Sequence, residues 1–176
     1  MAARGSARLH ADHLRPALRP SAAAALHCIV LDCSASMLAG GQLARAKGLL
    51  AALLAQTYRW RERVAVISFS GQGVALRLPP RRAMRVADAW LAPIGGGGGT
   101  PLADALTQAD ALLRRQPGSP RWLWLLTDGR ARHTPPRPLH AEHLRIIDFD
   151  TAPVPLGRAP QLAAQWQAGY LRADRL

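Results

Sequence analysis

A nearly continuous apolar run, Leu26-His27-Cys28-Ile29-Val30-Leu31, stops abruptly at Asp32-Cys33-Ser34-Ala35-Ser36. A run without polar alternation reads as a strand covered on both faces, the habit of parallel sheets flanked by helices. Similar runs recur at Val64 to Phe69, Trp122 to Leu126 and Leu144 to Phe149. Between them lie stretches of helical period. In Gln42 to Trp60, residues Leu43, Ala46, Leu49, Leu50, Leu53 and Leu54 recur on one face. Alternation of the two patterns predicts an α/β fold: a doubly wound, mainly parallel central sheet with helices on both faces. One edge strand is expected to be antiparallel. Val74 to Leu78 follows Val64 to Phe69 across Gly71-Gln72-Gly73, as in a hairpin, and Pro79-Pro80 is expected to end it. Further helices are predicted at Arg82 to Leu91, from Pro101 to about Arg115, and from about Arg158 to Gln167 beyond the breakers Pro153 and Pro155. Tyr170-Leu171-Arg172 reads as a short edge strand.

The 176 residues suit one domain, burying roughly 70% of its unfolded surface. A hydrophobic content of 49% argues against disorder. Residues 1–21, rich in Arg, Ala, His and Pro and without a period, are read as an arm or linker, and 22–176 as the domain. Ala22 to Leu31 is too short and too directly joined to Asp32 for a signal-peptide core. No apolar run reaches the ~18 residues of a membrane span, so no membrane partner is expected. Cys28 and Cys33 lie five positions apart on or beside one strand, so their side chains point to opposite faces and cannot easily bridge. A reducing, cytoplasmic setting is expected. The net charge is +12, and Lys47 is the only lysine. An arginine- and alanine-rich composition of this kind reflects GC-rich bacterial coding. With no aromatic-interleaved basic stripe, nucleic acid is not expected as a partner. An acidic protein surface remains compatible with the charge.

Three segments carry hard oxygen donors: Asp32, Ser34 and Ser36; Thr100 behind Gly95 to Gly99; and Asp128 in Leu125-Leu126-Thr127-Asp128-Gly129. In an open α/β sheet, sites form beyond the carboxyl ends of the strands, where all three segments could converge. Two carboxylates and three hydroxyls suit Mg²⁺, with Mn²⁺ as a substitute. The set is short of charge and of ligands, so a metal held there could take an acidic group from a partner. Thr100 is expected at a helix N-cap with Pro101 at the first helical position. Arg130 and Arg132, just past Asp128, are candidate partner contacts. The glycine run is not a phosphate-binding P-loop, because Gly99 stands where a lysine is needed. No ATP site is therefore expected. An aspartyl-phosphate phosphatase would want a second carboxylate at Ser34, and no nucleophile elbow is present. His133, His140 and His143 lack a helical pair or a cysteine companion and read as surface residues. Trp60, Trp90, Trp122 and Trp124 read as core or half-buried packing.

The Asp-x-Ser-x-Ser run, the distant Thr100 and the later Asp128 before Gly129 resemble the metal-ion-dependent adhesion site of von Willebrand factor A domains. The resemblance covers roughly residues 26–172. It implies that Ser34, Ser36 and Thr100 approach the metal while Asp32 and Asp128 act largely through water. Ala35 departs from the family's usual glycine. A narrower similarity, to the C-terminal region of magnesium chelatase D subunits, rests on Gly97-Gly98-Gly99-Thr100-Pro101-Leu102, Leu78-Pro79-Pro80-x-Arg82 and Leu125 to Arg130. Ala44-x-Ala46-Lys47-Gly48 and Gly157-Arg158-Ala159 add to it. Those relatives often carry an AAA+ module ahead of this domain, and this chain resembles the stand-alone short form. The resemblance implies a non-catalytic subunit of a magnesium or cobalt chelatase, the latter for cobalamin biosynthesis. Its implied partners are an AAA+ subunit and a large tetrapyrrole-binding subunit. A general adaptor for another AAA+ ATPase is the alternative, and a phosphatase a distant third.

Overall fold

All seven residues of the first strand, β1 (Leu26–Asp32), are buried, as an unbroken apolar run requires. The computed structural model describes residues 23–84, 88–150 and 157–175. After β1 come a four-residue helix, α1 (Ala35–Leu38), a 3₁₀ turn and the long α2 (Gln42–Arg59). There follow β2 (Arg63–Ser70), β3 (Gly73–Arg82), the short α3 (Asp88–Leu91), α4 (Leu102–Arg114) and β4 (Arg121–Thr127). The described chain closes with β5 (His143–Asp148), α5 (Ala159–Trp166) and β6 (Gly169–Arg172). The sheet order is β3-β2-β1-β4-β5-β6. Every neighbouring pair is parallel except β2 and β3. The mainly parallel sheet with an antiparallel edge is therefore as the sequence predicts. The arm or linker read at 1–21 lies outside the described residues, as do Pro153 and Pro155.

Alternation across β1 divides the core. Cys28 and Val30 join Leu102, Leu106, Leu113, Leu162 and Trp166, so α4 and α5 cover that face. Ile29, Leu31 and Cys33 join Leu43, Ala46, Leu50 and Leu54, so α2 covers the other. The two thiols thus sit in different layers, both free. Burial pushes them up, to about 12 at Cys28 and about 11 at Cys33, which keeps them protonated and unreactive. The connection through α2 carries the chain from β1 out to β2 and β3. The return through α4 brings β4 to the other side of β1. The winding therefore reverses between β1 and β4, and the carboxyl ends of these two strands flank the crevice.

Four local expectations need correction. Pro79-Pro80 does not end β3, which runs on to Arg82. The ladder with β2 shifts register there, Val66 pairing Leu78 and Val64 pairing Arg81. An edge strand with an irregular ladder tolerates prolines that lack an N–H. Second, Arg82, where a helix is expected to start, belongs instead to β3 and pairs with Arg63 in the sheet, and the described helix is Asp88–Leu91. Third, α4 has Pro101, not Thr100, as its N-cap. Fourth, Trp60 is 57% exposed, because it caps α2 beyond the last turn that touches the sheet.

At the opposite, amino edge, His27 is 4% exposed. Its Nδ1 accepts the Trp124 indole N–H at 3.1 Å. Nε2 therefore carries the proton and donates to Glu62 Oε2 at 2.7 Å. The ring stacks with Trp122 and Trp124. Burial lowers the His27 pKa below its ordinary 6.5, with Glu62 pulling the other way. The folded state then binds this proton less readily than the unfolded chain. The stabilisation is fully present above about pH 6.5 and is lost as pH falls toward the depressed value. Melting curves from pH 7.5 to 5 are expected to show this loss. His27→Gln is expected to flatten that part of the profile, and an unchanged profile in the variant would refute the assignment.

Candidate metal centre

Asp32 ends β1, and its Oδ1 accepts the Ser34 backbone N–H at 2.9 Å. This closes the loop into a tight Asx turn that starts α1. Ala35 is the first residue of α1 and so has helical, negative φ. An alanine therefore fits where the resembled family commonly has glycine. The Ser34 and Ser36 hydroxyl oxygens lie 3.2 Å apart. Octahedral Mg²⁺ with ligands at about 2.0–2.1 Å holds adjacent oxygens about 2.9 Å apart, so the pair needs only a slight closing to serve one ion.

The glycine loop is stitched directly onto this turn. Gly97 N–H donates to the Cys33 carbonyl at 2.8 Å, Ala35 N–H to the Gly98 carbonyl at 3.1 Å, and Gly71 N–H to the Gly97 carbonyl at 2.8 Å. A Cβ on Gly96 would lie 2.2 Å from the Cys33 carbonyl oxygen. A side chain there must push the two backbones apart. Gly96→Ala is expected to cost about 2–4 kcal/mol, read as a lowered denaturant midpoint, whereas Gly95→Ala, which meets nothing within 4 Å, serves as the tolerated control. Equal midpoints for the two would show that the close approach is not maintained in solution.

Thr127, the last residue of β4, was not singled out from the sequence. Its hydroxyl donates to Asp32 Oδ2 at 2.6 Å and accepts the Gly129 N–H at 3.0 Å. It thus ties the ends of β1 and β4 together beneath the site. Asp128 follows, wholly buried. Its Oδ1 accepts the Arg130 N–H at 3.1 Å, while Oδ2 is buried without a hydrogen-bond partner. Burial raises the pKa of Asp32; hydrogen bonds from Ser34 and Thr127 oppose the shift, and the Asp128 charge adds to it. Two nearby buried carboxylates, one with an orphaned oxygen, form a niche that favours a cation.

Above this floor opens a cleft of about 790 Å³ lined by Ser36, the backbone of Gly71, Gly98 and Gly99, Thr100, Arg130, Arg132 and His133. Thr100 is half-buried on its wall, and its carbonyl accepts the Leu102 N–H at 2.8 Å. Arg132 is exposed. Arg130 is engaged with Asp128 and Asp150. The other histidines are spent elsewhere: His140 on Asp110 at 2.7 Å and His143 stacked on Trp122 at 4.2 Å. Among the described residues no three His, Cys, Asp or Glu side chains come together as a metal cluster. A cation here would therefore rest on two carboxylates and hydroxyls, the donor set of a hard ion. Asp148-Phe149-Asp150 also escaped the sequence reading. There the Asp150 N–H donates to Asp148 Oδ1 at 2.8 Å, repeating at β5 the turn found after β1 and β4. The repeated Asp-x-polar spacing after an apolar strand was the available signal.

The von Willebrand factor type A domain model matches residues 28–130. The uncharacterized protein Rv2850c of Mycobacterium tuberculosis is 34% identical over 188 aligned residues, taking in 98% of this chain and 30% of its own length. The magnesium-chelatase 60 kDa subunit of Cereibacter sphaeroides is 42% identical over 102 residues, 57% of this chain and 18% of its own. The 67 kDa subunit of Heliobacterium mobile is 38% identical over 109 residues, 60% and 16% respectively. This chain thus spans less than a third of each of these relatives. Among solved structures, an aerotolerance-related membrane protein from Bacteroides fragilis superposes with TM-score 0.66 at 19% identity, over 84% of this chain and 90% of that one. The SpRpn10 VWA domain does so with TM-score 0.62 at 8% identity, over 85% and 87%. At such identities the likeness is one of fold. No helix among the described residues is long and apolar enough to cross a membrane. With the family model covering more than half the chain and one relative aligned along nearly all of it, this protein belongs to the von Willebrand factor type A domain family.

Proposed function

We propose that this chain is a Mg²⁺-dependent protein-interaction subunit of a tetrapyrrole metal chelatase. In this reading it couples an AAA+ ATPase subunit to the large tetrapyrrole-binding subunit, in the cytoplasm and in cobalamin biosynthesis, and is itself non-catalytic. The chelatase part is supported by 37–42% identity to magnesium-chelatase subunits over more than half the chain. The metal part is carried by the buried Oδ2 of Asp128, which accepts no hydrogen bond, beside the paired Ser34 and Ser36 hydroxyls. Ser34, Ser36 and Thr100 would hold the ion, with Asp32 and Asp128 behind them. A bound Mg²⁺ supplies an electrophilic centre that accepts a carboxylate oxygen from the partner. Neutral hydroxyl ligands leave that centre with charge to spare, and Arg130 and Arg132 add a cationic rim for an acidic partner.

Reconstitution tests this reading. The AAA+ and large chelatase subunits from the same genome are mixed with and without this chain, and ATP-driven metal insertion into a tetrapyrrole is followed spectroscopically. Insertion is expected only when all three are present. A rate indifferent to this chain would overturn the chelatase reading, and Mg²⁺-dependent capture of an unrelated AAA+ ATPase would replace it with the general adaptor. This chain alone is expected to give no binding heat with ATP, since its glycine loop lacks a phosphate-binding lysine. Micromolar ATP affinity would contradict that expectation.

A further inference from the structure

Arg130 does more than line the cleft. Its Nε lies 3.7 Å from Asp128 Oδ2, too far for a hydrogen bond but close enough for strong attraction. Its Nη2 donates to Asp150 Oδ1 at 3.3 Å. The guanidinium side chain is 33% exposed, against 0% for Asp128 and 1% for Asp150. Asp150 is itself pinned. Its Oδ2 accepts the Gly157 N–H at 2.9 Å. Its own N–H is held by Asp148, whose other oxygen accepts the Tyr170 hydroxyl at 2.7 Å. The following loop also presses on the first: a Cβ on Gly157 would lie 2.0 Å from the Asp128 carbonyl oxygen. A rigid post thus holds a partly exposed cation over the carboxylate whose Oδ2 has no hydrogen-bond partner.

We infer that Arg130 is a built-in competitor for the divalent cation: parked between Asp128 and Asp150, it weakens metal binding in the free chain and is handed to the partner's carboxylate on docking. The inference rests on the metal reading of the site given above. The guanidinium already reaches the cleft that the partner would enter. A carboxylate arriving there with one oxygen toward the metal has the other free to accept from the guanidinium. Drawing the positive charge off Asp128 then strengthens the hold on the metal. Metal and acidic partner therefore bind cooperatively, each raising the affinity of the other by the same factor. The arrangement keeps the free subunit poorly loaded and the docked one tightly loaded.

Mg²⁺ titration by calorimetry of the parent, Arg130→Gln, Arg130→Lys and Arg132→Gln tests the idea. Arg130→Gln is expected to bind Mg²⁺ roughly three- to tenfold more tightly, since a like charge has left the site. Arg130→Lys and Arg132→Gln are expected to stay within about twofold of the parent, the first because it keeps the charge and the second because the ion pair with Asp128 is made by Arg130. A purely structural role for Arg130 predicts the opposite sign for Arg130→Gln. Asp150→Asn provides a second route: without its post the guanidinium moves onto Asp128 and Mg²⁺ binding weakens. In the Arg130→Gln/Asp150→Asn double variant that weakening is expected to shrink. Its persistence at full size, or unchanged or weaker binding by Arg130→Gln in a parent that binds Mg²⁺, would overturn this inference alone. A parent that gives no Mg²⁺ response would overturn the metal reading beneath it.

Discussion

Mg²⁺ at ten times its Kd is expected to raise the melting temperature, and Asp32→Ala to abolish the rise. Mass action at that concentration contributes about 1.4 kcal/mol, or roughly 3–6 °C for a chain of this size. Mn²⁺ is expected to act in the same way. Asp32 is the most telling position because it organises the floor of the site without facing the partner. Its two oxygens take the Ser34 N–H and the Thr127 hydroxyl, so its loss loosens both the serine turn and the tie to β4. The circular dichroism is expected to be retained, since no apolar core side chain is removed and β1 keeps its backbone ladders with β2 and β4. Asp32→Asn separates the roles: it keeps an oxygen for the Ser34 N–H but removes the negative charge, and it too is expected to lose the response. A variant that melts with the parent's Mg²⁺ dependence would mean that the ion binds elsewhere.

Much of this architecture is legible in the chain because burial on both faces leaves no polar alternation in a strand. β1, β2, β4 and β5 each announce themselves in that way, and the 43–46–50–54 stripe of α2 states which face it buries. The candidate donors are legible for a related reason. Asp32 and Asp128 stand where apolar runs end, and in a parallel sheet those ends share one edge. What escapes is set by partners distant in sequence. Pro79-Pro80 looks terminal until the irregular ladder with β2 absorbs it. Thr127 looks like one more strand residue until its hydroxyl meets Asp32, 95 positions away. Arg130 reads as a candidate partner contact until the turn after β5 delivers Asp150 beside it. Spacing along the chain reports which residues can reach an edge. It does not report which of them neutralise one another once there.

Binding of an acidic partner is expected to require Mg²⁺, to collapse in EDTA and to fall again when Thr100 becomes Ala. The expectation follows from the donor set: the three hydroxyls that would touch the ion carry no charge and the two buried carboxylates stand behind them, so a carboxylate from outside is drawn to the ion. Thr100 suits the test because its half-buried side chain lines the cleft while the backbone that starts α4 depends on its carbonyl. Thr100→Ala thus removes a hydroxyl and spares the helix. Salt discriminates between the two sources of attraction. Contacts from exposed Arg132 are screened within about 8–10 Å at physiological ionic strength, so part of the affinity is expected to fade as salt rises. A metal–carboxylate contact closed off from water fades much less, and a residual that is salt-resistant yet EDTA-sensitive is its signature. The AAA+ chelatase subunit is the first partner to test and the large subunit the second. If binding is indifferent to metal and survives Asp32→Ala combined with Thr100→Ala, coordination across the interface is excluded. The cationic rim would then be left as the docking surface, and the salt dependence would have to account for the whole affinity.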